Sequence, residues 1–361
     1  MNPDIAFVRP ALSVAPMMDC TDRHCRYFMR GITGCSYLYT EMVSTAAIVH
    51  GDRRWLLDFD PCEAPLALQI GGSDIGEAGK AVAAAEPWPY DEINLNVGCP
   101  SDRVQERGLG ACLMLRPEHV ARMVEAMRAN TAKPVTVKHR IGVDELDRYE
   151  DLVRFVSVVR EAGPARFTVH ARIAWLEGLS PKENRNIPPL RYGDVYRLKR
   201  DFPELDIEIN GHISSLADAD EHLRKVDAVM IGRAAYDTPW ILSAADQFLD
   251  ERGIGGSCSA RAMCSRRAEV IERMIPYLER WYRAGTPGRK IVRHMLGLFA
   301  GLPGARHWRR SLSGRLPDDC APILRRMLEE LPSESLNEPA DDPPPVEAPR
   351  RADGATPAPQ R

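Results

Sequence analysis

With 361 residues, 44% of them hydrophobic, the chain can bury a large core and form one big domain beside a smaller one. No apolar run is long enough to span a bilayer, and the N-terminal stretch lacks the basic region and long apolar block of a secretory signal. Nine cysteines, an odd set with no Cys-x-x-Cys pair, argue against a disulfide framework or zinc ribbon and for a reducing cytoplasm, while a net charge of −3 leaves any polyanionic partner to a local basic patch.

Taken in order, short apolar strands are expected at 12–16, 37–40, 66–70, 92–96, 135–139, 167–170, 206–210 and 228–231. Helix-like patterns lie between them at 21–31, 74–85, 118–129, 146–162, 193–202 and 216–225. Strands alternating with helices imply a parallel sheet, and eight such units close into a (β/α)8 TIM barrel. A doubly wound open sheet is the rival, but no Gly-x-Gly-x-x-Gly follows the first strand. From about 257 the strand pattern ends. Residues 264–330 read as helices with 14 Arg and Lys against 7 Asp and Glu, a basic all-helical domain. From about 333 the chain is rich in Pro, Ala, Asp and Arg, and disorder is expected. The expected division is a barrel over 1–255, a helical domain over 256–332 and a tail over 333–361.

In a TIM barrel the active site lies at the C-terminal ends of the strands. Here those ends carry Pro16–Met18, Glu41, Gln69, Asn94 and Asn96, Lys138 and Arg140, His170 and Arg172, Asn210–Gly211, and Gly232–Arg233. Polar or glycine residues at all the strand ends are hard to explain by packing. The fourth strand stops in Gly98-Cys99-Pro100, a rigid turn that holds a cysteine at the strand's mouth. Such a thiol is either a packing cysteine or an acid; polar neighbours Asn94, Asn96 and Ser101, and glycines Gly108 and Gly110, favour the acid. Cys112 has apolar neighbours and reads as core. Asn210–Gly211 and Gly232–Arg233 sit where barrels commonly bind phosphate through backbone N–H groups, and Arg233 could add a bidentate contact. Lys138 has two readings: a Schiff-base lysine, or a cation beside a reduced flavin with Gln69 and Asn94 as hydrogen-bonding amides.

The run YDEINLNVGCPSDRVQERGLGACLM over 90–114 resembles the signature of the tRNA-dihydrouridine synthases, and the likeness extends over about 11–315. The chain looks most like the branch acting at positions 20 and 20a of tRNA. The resemblance implies FMN held by Pro16, Met17, Met18, Gln69, Lys138, His170, Asn210, Gly211, His212, Gly232 and Arg233. Reduced flavin then supplies a hydride to C6 of a flipped-out uridine, Cys99 a proton to C5, and NADPH is the expected reductant. Asn96 is expected to read the base edge, and Lys182 and Arg185, in the long loop 175–192, to contact the RNA. In the helical region Arg293, Arg306, Arg309 and Arg310 are expected to meet phosphates, with Trp308 among them to stack a base.

Two positions depart from the family. His212 stands third where Asn-Gly-Gly is usual, and it tolerates positive φ less well than glycine. His139 replaces a usual threonine between Lys138 and Arg140; by strand alternation it should face away from the ring. Three rivals are carried forward: an FMN barrel acting on a small molecule, a Schiff-base lyase using Lys138, and a non-catalytic RNA-binding barrel. No metal site and no stable protein partner is expected.

Overall fold

The computed structural model describes residues 11–255 and 264–339. The expected boundary at 255/256, Cys258 and most of the tail lie outside them.

Every strand is parallel: β1 (Leu12–Val14), β2 (Leu38–Tyr39), β3 (Val43–Ser44), β4 (Leu66–Gly71), β5 (Glu92–Val97), β6 (Val135–Arg140), β7 (Phe167–His170), β8 (Ile207–Asn210) and β9 (Ala228–Ile231). The order β1-β9-β8-β7-β6-β5-β4-β2 leaves β1 beside β2, and the ring closes there. Tyr37 N–H donates to Leu12 O at 2.9 Å and Val14 N–H to Tyr37 O at 2.8 Å. The expected TIM barrel is therefore present.

One barrel strand is interrupted. Leu38 pairs with Leu66 but Val43 with Ile70, so β2 and β3 together hold one residue more than β4 over the same span. Such a bulge at a barrel rim bends the strand and re-aims its side chains. Here it falls over 40–42, and Thr40 Oγ1 accepts the Gln69 N–H at 3.0 Å across it.

Alternation divides each strand between two cores. Outward residues such as Ile93, Leu95, Val137, Val169 and Ile209 are fully buried beneath the surrounding helices. Inward residues are mostly polar and pair with one another, as buried polar groups must. Glu208 accepts from Ser13 and Thr168 at 2.6 Å each, Arg166 meets Asp206 at 3.0 Å, and Glu92 accepts from Tyr39 and Thr136. Burial pushes the Glu92 carboxyl up to about 7. His139 faces outward as alternation predicts, its ring 4.9 Å from Phe155 and 5.7 Å from Phe167.

The helix Arg267–Arg283 pairs with Ala321–Glu330 and docks on the barrel helix Arg23–Ile32. Tyr27 and Tyr277 stack with ring centroids 3.8 Å apart, and Asp22 pairs with Arg293 at 2.8 Å and His294 at 3.0 Å. Arg293 is thus committed to joining barrel and helices. Trp308 corrects a second expectation: its ring is fully buried, donates Nε1–H to Met295 O at 2.8 Å and packs on Phe299, so it offers no face to a base. Ser333–Asn337, assigned to the tail on composition, is a helix with Leu336 buried. Among the described residues no helix is long and apolar enough to cross a membrane, and no cluster of metal-ligating side chains occurs.

Candidate active site at the barrel mouth

The turn carrying Cys99 is built by the strand before it. Asn96, on the inward face of β5, turns its Oδ1 back to accept the N–H groups of Gly98 at 3.1 Å and Cys99 at 3.0 Å. An asparagine that satisfies the backbone two and three residues on fixes a turn. Its Nδ2 donates to Gln69 Oε1 at 2.9 Å; Gln69 Nε2 donates to Asn94 Oδ1 and Asn94 Nδ2 to Thr136 Oγ1, both at 2.8 Å. A row of hydrogen-bonded polar side chains thus runs along three adjacent strands under the mouth. Asn96 keeps one N–H free for a ligand, so its main work is to hold the cysteine.

Behind the turn, Gly110 has φ +64° and a Cβ there would fall 2.3 Å from Cys99 O. Ala111 N–H donates to that same oxygen at 2.9 Å. The Cys99 side chain is half-buried, with Sγ 3.6 Å from Ser101 Oγ, and it lies within electrostatic range of Lys138, Arg140 and Arg185. The sulfur therefore belongs to the mouth and not to packed hydrocarbon. Cys112, expected in the core, is half-buried as well.

Arg140, a strand-end residue to which the sequence assigns no separate role, joins three segments. Its Nε donates to Gly98 O at 3.0 Å, and its Nη1 to Ile173 O at 2.8 Å and Asn184 O at 3.1 Å. Gln105 adds donations to Pro100 O at 2.8 Å and Leu176 O at 2.9 Å. Buried Asn184 pins the loop from within, donating to Trp175 O and accepting its N–H at 2.8 Å each. The Cys99 turn and the loop 173–188 are thus tied together by side-chain hydrogen bonds. The available signal for Arg140 was its position, two residues from Lys138 on the same strand face. Gln105 and Asn184 gave none.

Loop residue Arg185 is exposed and lies within electrostatic range of Cys99; Lys182 is exposed on the same loop with no such link. Arg306 and Arg309 lie apart, exposed on the helix Ala305–Ser311.

On the next strand, in register with Asn96, Lys138 donates Nζ to Asn210 Oδ1 at 3.2 Å, and Asn210 Nδ2 donates to Met230 O at 2.8 Å. Burial, then the charge of Arg140, pulls Lys138 down to about 8. His170 is driven well below its usual value by burial and by Arg140, Lys138, Arg172 and Arg233, so its ring is neutral. Its buried Nδ1 has no hydrogen-bond partner. Gly211 and His212 both have positive φ, +128° and +54°, so the histidine adopts the conformation that glycine would hold without strain. A Cβ on Gly232 would meet nothing nearer than Ala15 at 3.9 Å, and Arg233 donates to Asn186 Oδ1 at 2.8 Å. Pro16 and Met17 are half-buried and Met18 is exposed at the end of β1.

Among the described residues, none of Lys138, Arg140, Arg172, Arg185 and Arg233 forms an ion pair with a carboxylate. Cations gathered without counter-ions, beside an orphaned imidazole nitrogen and an open glycine, suit an anionic ligand with a phosphate and a hydrogen-bonding ring. The residues present therefore fit FMN.

Residues 13–318 match the family described as dihydrouridine synthase (Dus). A protein of Synechocystis sp. named tRNA-dihydrouridine(20/20a) synthase is 56% identical over 302 residues, covering 84% of this chain and 88% of that one. Proteins of the same name from Vibrio parahaemolyticus and Escherichia coli are 51% and 53% identical, covering 90% and 83% of this chain and 97% and 88% of theirs. A solved 2-naphthoyl-CoA reductase complex shares the fold alone, at a TM-score of 0.50 and 11% identity, over 66% of this chain and 50% of that one. With a parallel barrel, a cysteine turn at its mouth and relatives this similar along nearly their whole length, the chain belongs to the dihydrouridine synthase family.

Proposed function

We propose that this chain is a flavin-dependent tRNA-dihydrouridine synthase that reduces the C5=C6 bond of D-loop uridines at positions 20 and 20a. The observation that carries the reading is the Cys99 turn: a half-buried thiol, held by Asn96 and Arg140, at the mouth beside Lys138 and a cation-rich cradle. FMN is the flavin, with Gln69, Lys138, His170, Asn210–His212 and Gly232–Arg233 to hold it and Pro16–Met18 against it. When bound and reduced by NADPH, it supplies the hydride that saturates C6.

The protein's own part is positional and acidic. Cys99 holds the proton for C5. Hydride to one carbon and proton to the other complete the saturation, and the thiolate left behind takes a proton from solvent. Asn96 has one N–H left to orient the pyrimidine. Arg185 and Lys182 receive the flanking RNA, and Arg306 and Arg309 a more distant part of the tRNA. The barrel over 1–255 is then the catalytic domain and the helices over 256–332, continued to Asn337, the tRNA-binding one, working in the cytoplasm.

Family membership leaves the Schiff-base and purely RNA-binding readings without support, and the basic helical region favours tRNA over a small molecule. Nucleoside mass analysis tests the assignment: tRNA from a deletion strain should lose dihydrouridine at 20 and 20a and regain it on complementation. Unchanged tRNA, with a small-molecule alkene reduced instead, would overturn it.

A further inference from the structure

A cleft of about 740 Å3 lies between the rim bulge and the helical region, and of the cofactor cradle it touches only Met18. Two tryptophans face it, and one of them, Trp55, is 68% exposed. The Arg23 guanidinium stands 5.4 Å from the Trp55 ring and 5.9 Å from that of Trp281, bridging the two. Lys290, on the helical wall, is exposed and forms no ion pair among the described residues. Arg289 beside it has only a loose, exposed contact to Asp318 at 3.4 Å.

The cleft's carboxyls do not oppose an anion as their number suggests. Asp22 is paired with Arg293 at 2.8 Å and hydrogen-bonded to His294. Glu41, in the bulge, is raised by burial and by Asp22, and its buried Oε1 has no hydrogen-bond partner. The surface is therefore an exposed aromatic with a cation over it, free positive charge on the opposite wall, and an unpartnered carboxyl oxygen at its base.

We propose that this cleft takes a second unstacked nucleotide of the RNA, the neighbour of the uridine in the barrel, with its base on Trp55 and its phosphate on Lys290 and Arg289. The inference rests on the function proposed above. Extruding a uridine strips its neighbour of a stacking partner, and a tryptophan in a cationic groove replaces that stack for any base. Met18, shared by both sites, makes them adjacent. The nucleotide half of the reductant carries the same base-and-phosphate chemistry, so the test separates the two sources.

The holoenzyme with Trp55→Ala is compared with wild type for tRNA affinity, using intact tRNA and tRNA made abasic at the nucleotide on either side of the target. The expected result is about tenfold weaker binding of intact tRNA, mostly restored in Trp55→Phe, with flavin content and the rate of flavin reduction by NADPH unchanged. On one of the abasic tRNAs, wild type and Trp55→Ala should bind alike. Unchanged affinity, losses that simply multiply on both abasic tRNAs, or slower flavin reduction with tRNA affinity intact would each overturn the proposal, the last by giving the cleft to the reductant. Because the cycle reads binding alone, absence of dihydrouridine product would count against the proposed function and not against the cleft.

Discussion

Lys138 shows how far one residue's environment sets its chemistry. Buried and beside Arg140, its ammonium is pulled down to about 8, so the ligand-free cradle loses a positive charge just above neutrality. Binding the phosphate-bearing, anionic cofactor favours the charged form and raises the pKa, so cofactor binding takes up a proton above pH 8. FMN affinity should thus hold near pH 7 and fall by up to about tenfold per pH unit above 8. Lys138→Met should bind FMN more weakly and without that slope, read by flavin fluorescence at pH 7 and 9; a flat wild-type profile would contradict the charge assignment. The identity and depth of Lys138 were legible from its place at a strand end, and the outward turn of His139 from alternation alone. Asn96 was legible as a polar mouth residue, but its partners are the Gly98 and Cys99 amides, and turn closure has no sequence periodicity. Trp308 misled because flanking arginines mark a charged neighbourhood without saying which way the ring between them points.

The element that matters most is β5 with the turn and glycines after it. Gly110 combines positive φ with a 2.3 Å approach to Cys99 O, whereas Gly178, at φ +79°, has nothing within 4 Å. Gly178→Ala should therefore cost only the conformational strain, about 1 kcal/mol, and leave turnover alone, while Gly110→Ala should cost about 2 kcal/mol or more and displace the thiol. Thermal unfolding and dihydrouridine formation on the two variants check this, and equal behaviour would remove the claim that Gly110 shapes the Cys99 turn. The strands and most helices were visible as alternating apolar patterns, since those patterns follow burial directly. The bulge over 40–42 was not, because one extra residue in a short strand appears only once the pairing partner is known.

Across the whole molecule, an acidic chain presents two basic surfaces: the mouth with Arg185 and Arg233, and the helix carrying Arg306, Arg309 and Arg310. Asp22, Arg293, Tyr27 and Tyr277 hold the second surface in fixed relation to the first. Phosphate contacts release counter-ions, so replacing both Arg309 and Arg310 by Ala should weaken tRNA binding and lower the salt slope by about 2 while FMN content stays constant. An unchanged slope would confine RNA contact to the barrel. All of this serves one thiol beside one ring, and the most direct test is a single-turnover experiment on Cys99→Ala. With flavin bound and pre-reduced by NADPH, the variant should bind tRNA normally and form almost no dihydrouridine. Dihydrouridine formed at the wild-type rate would contradict the account.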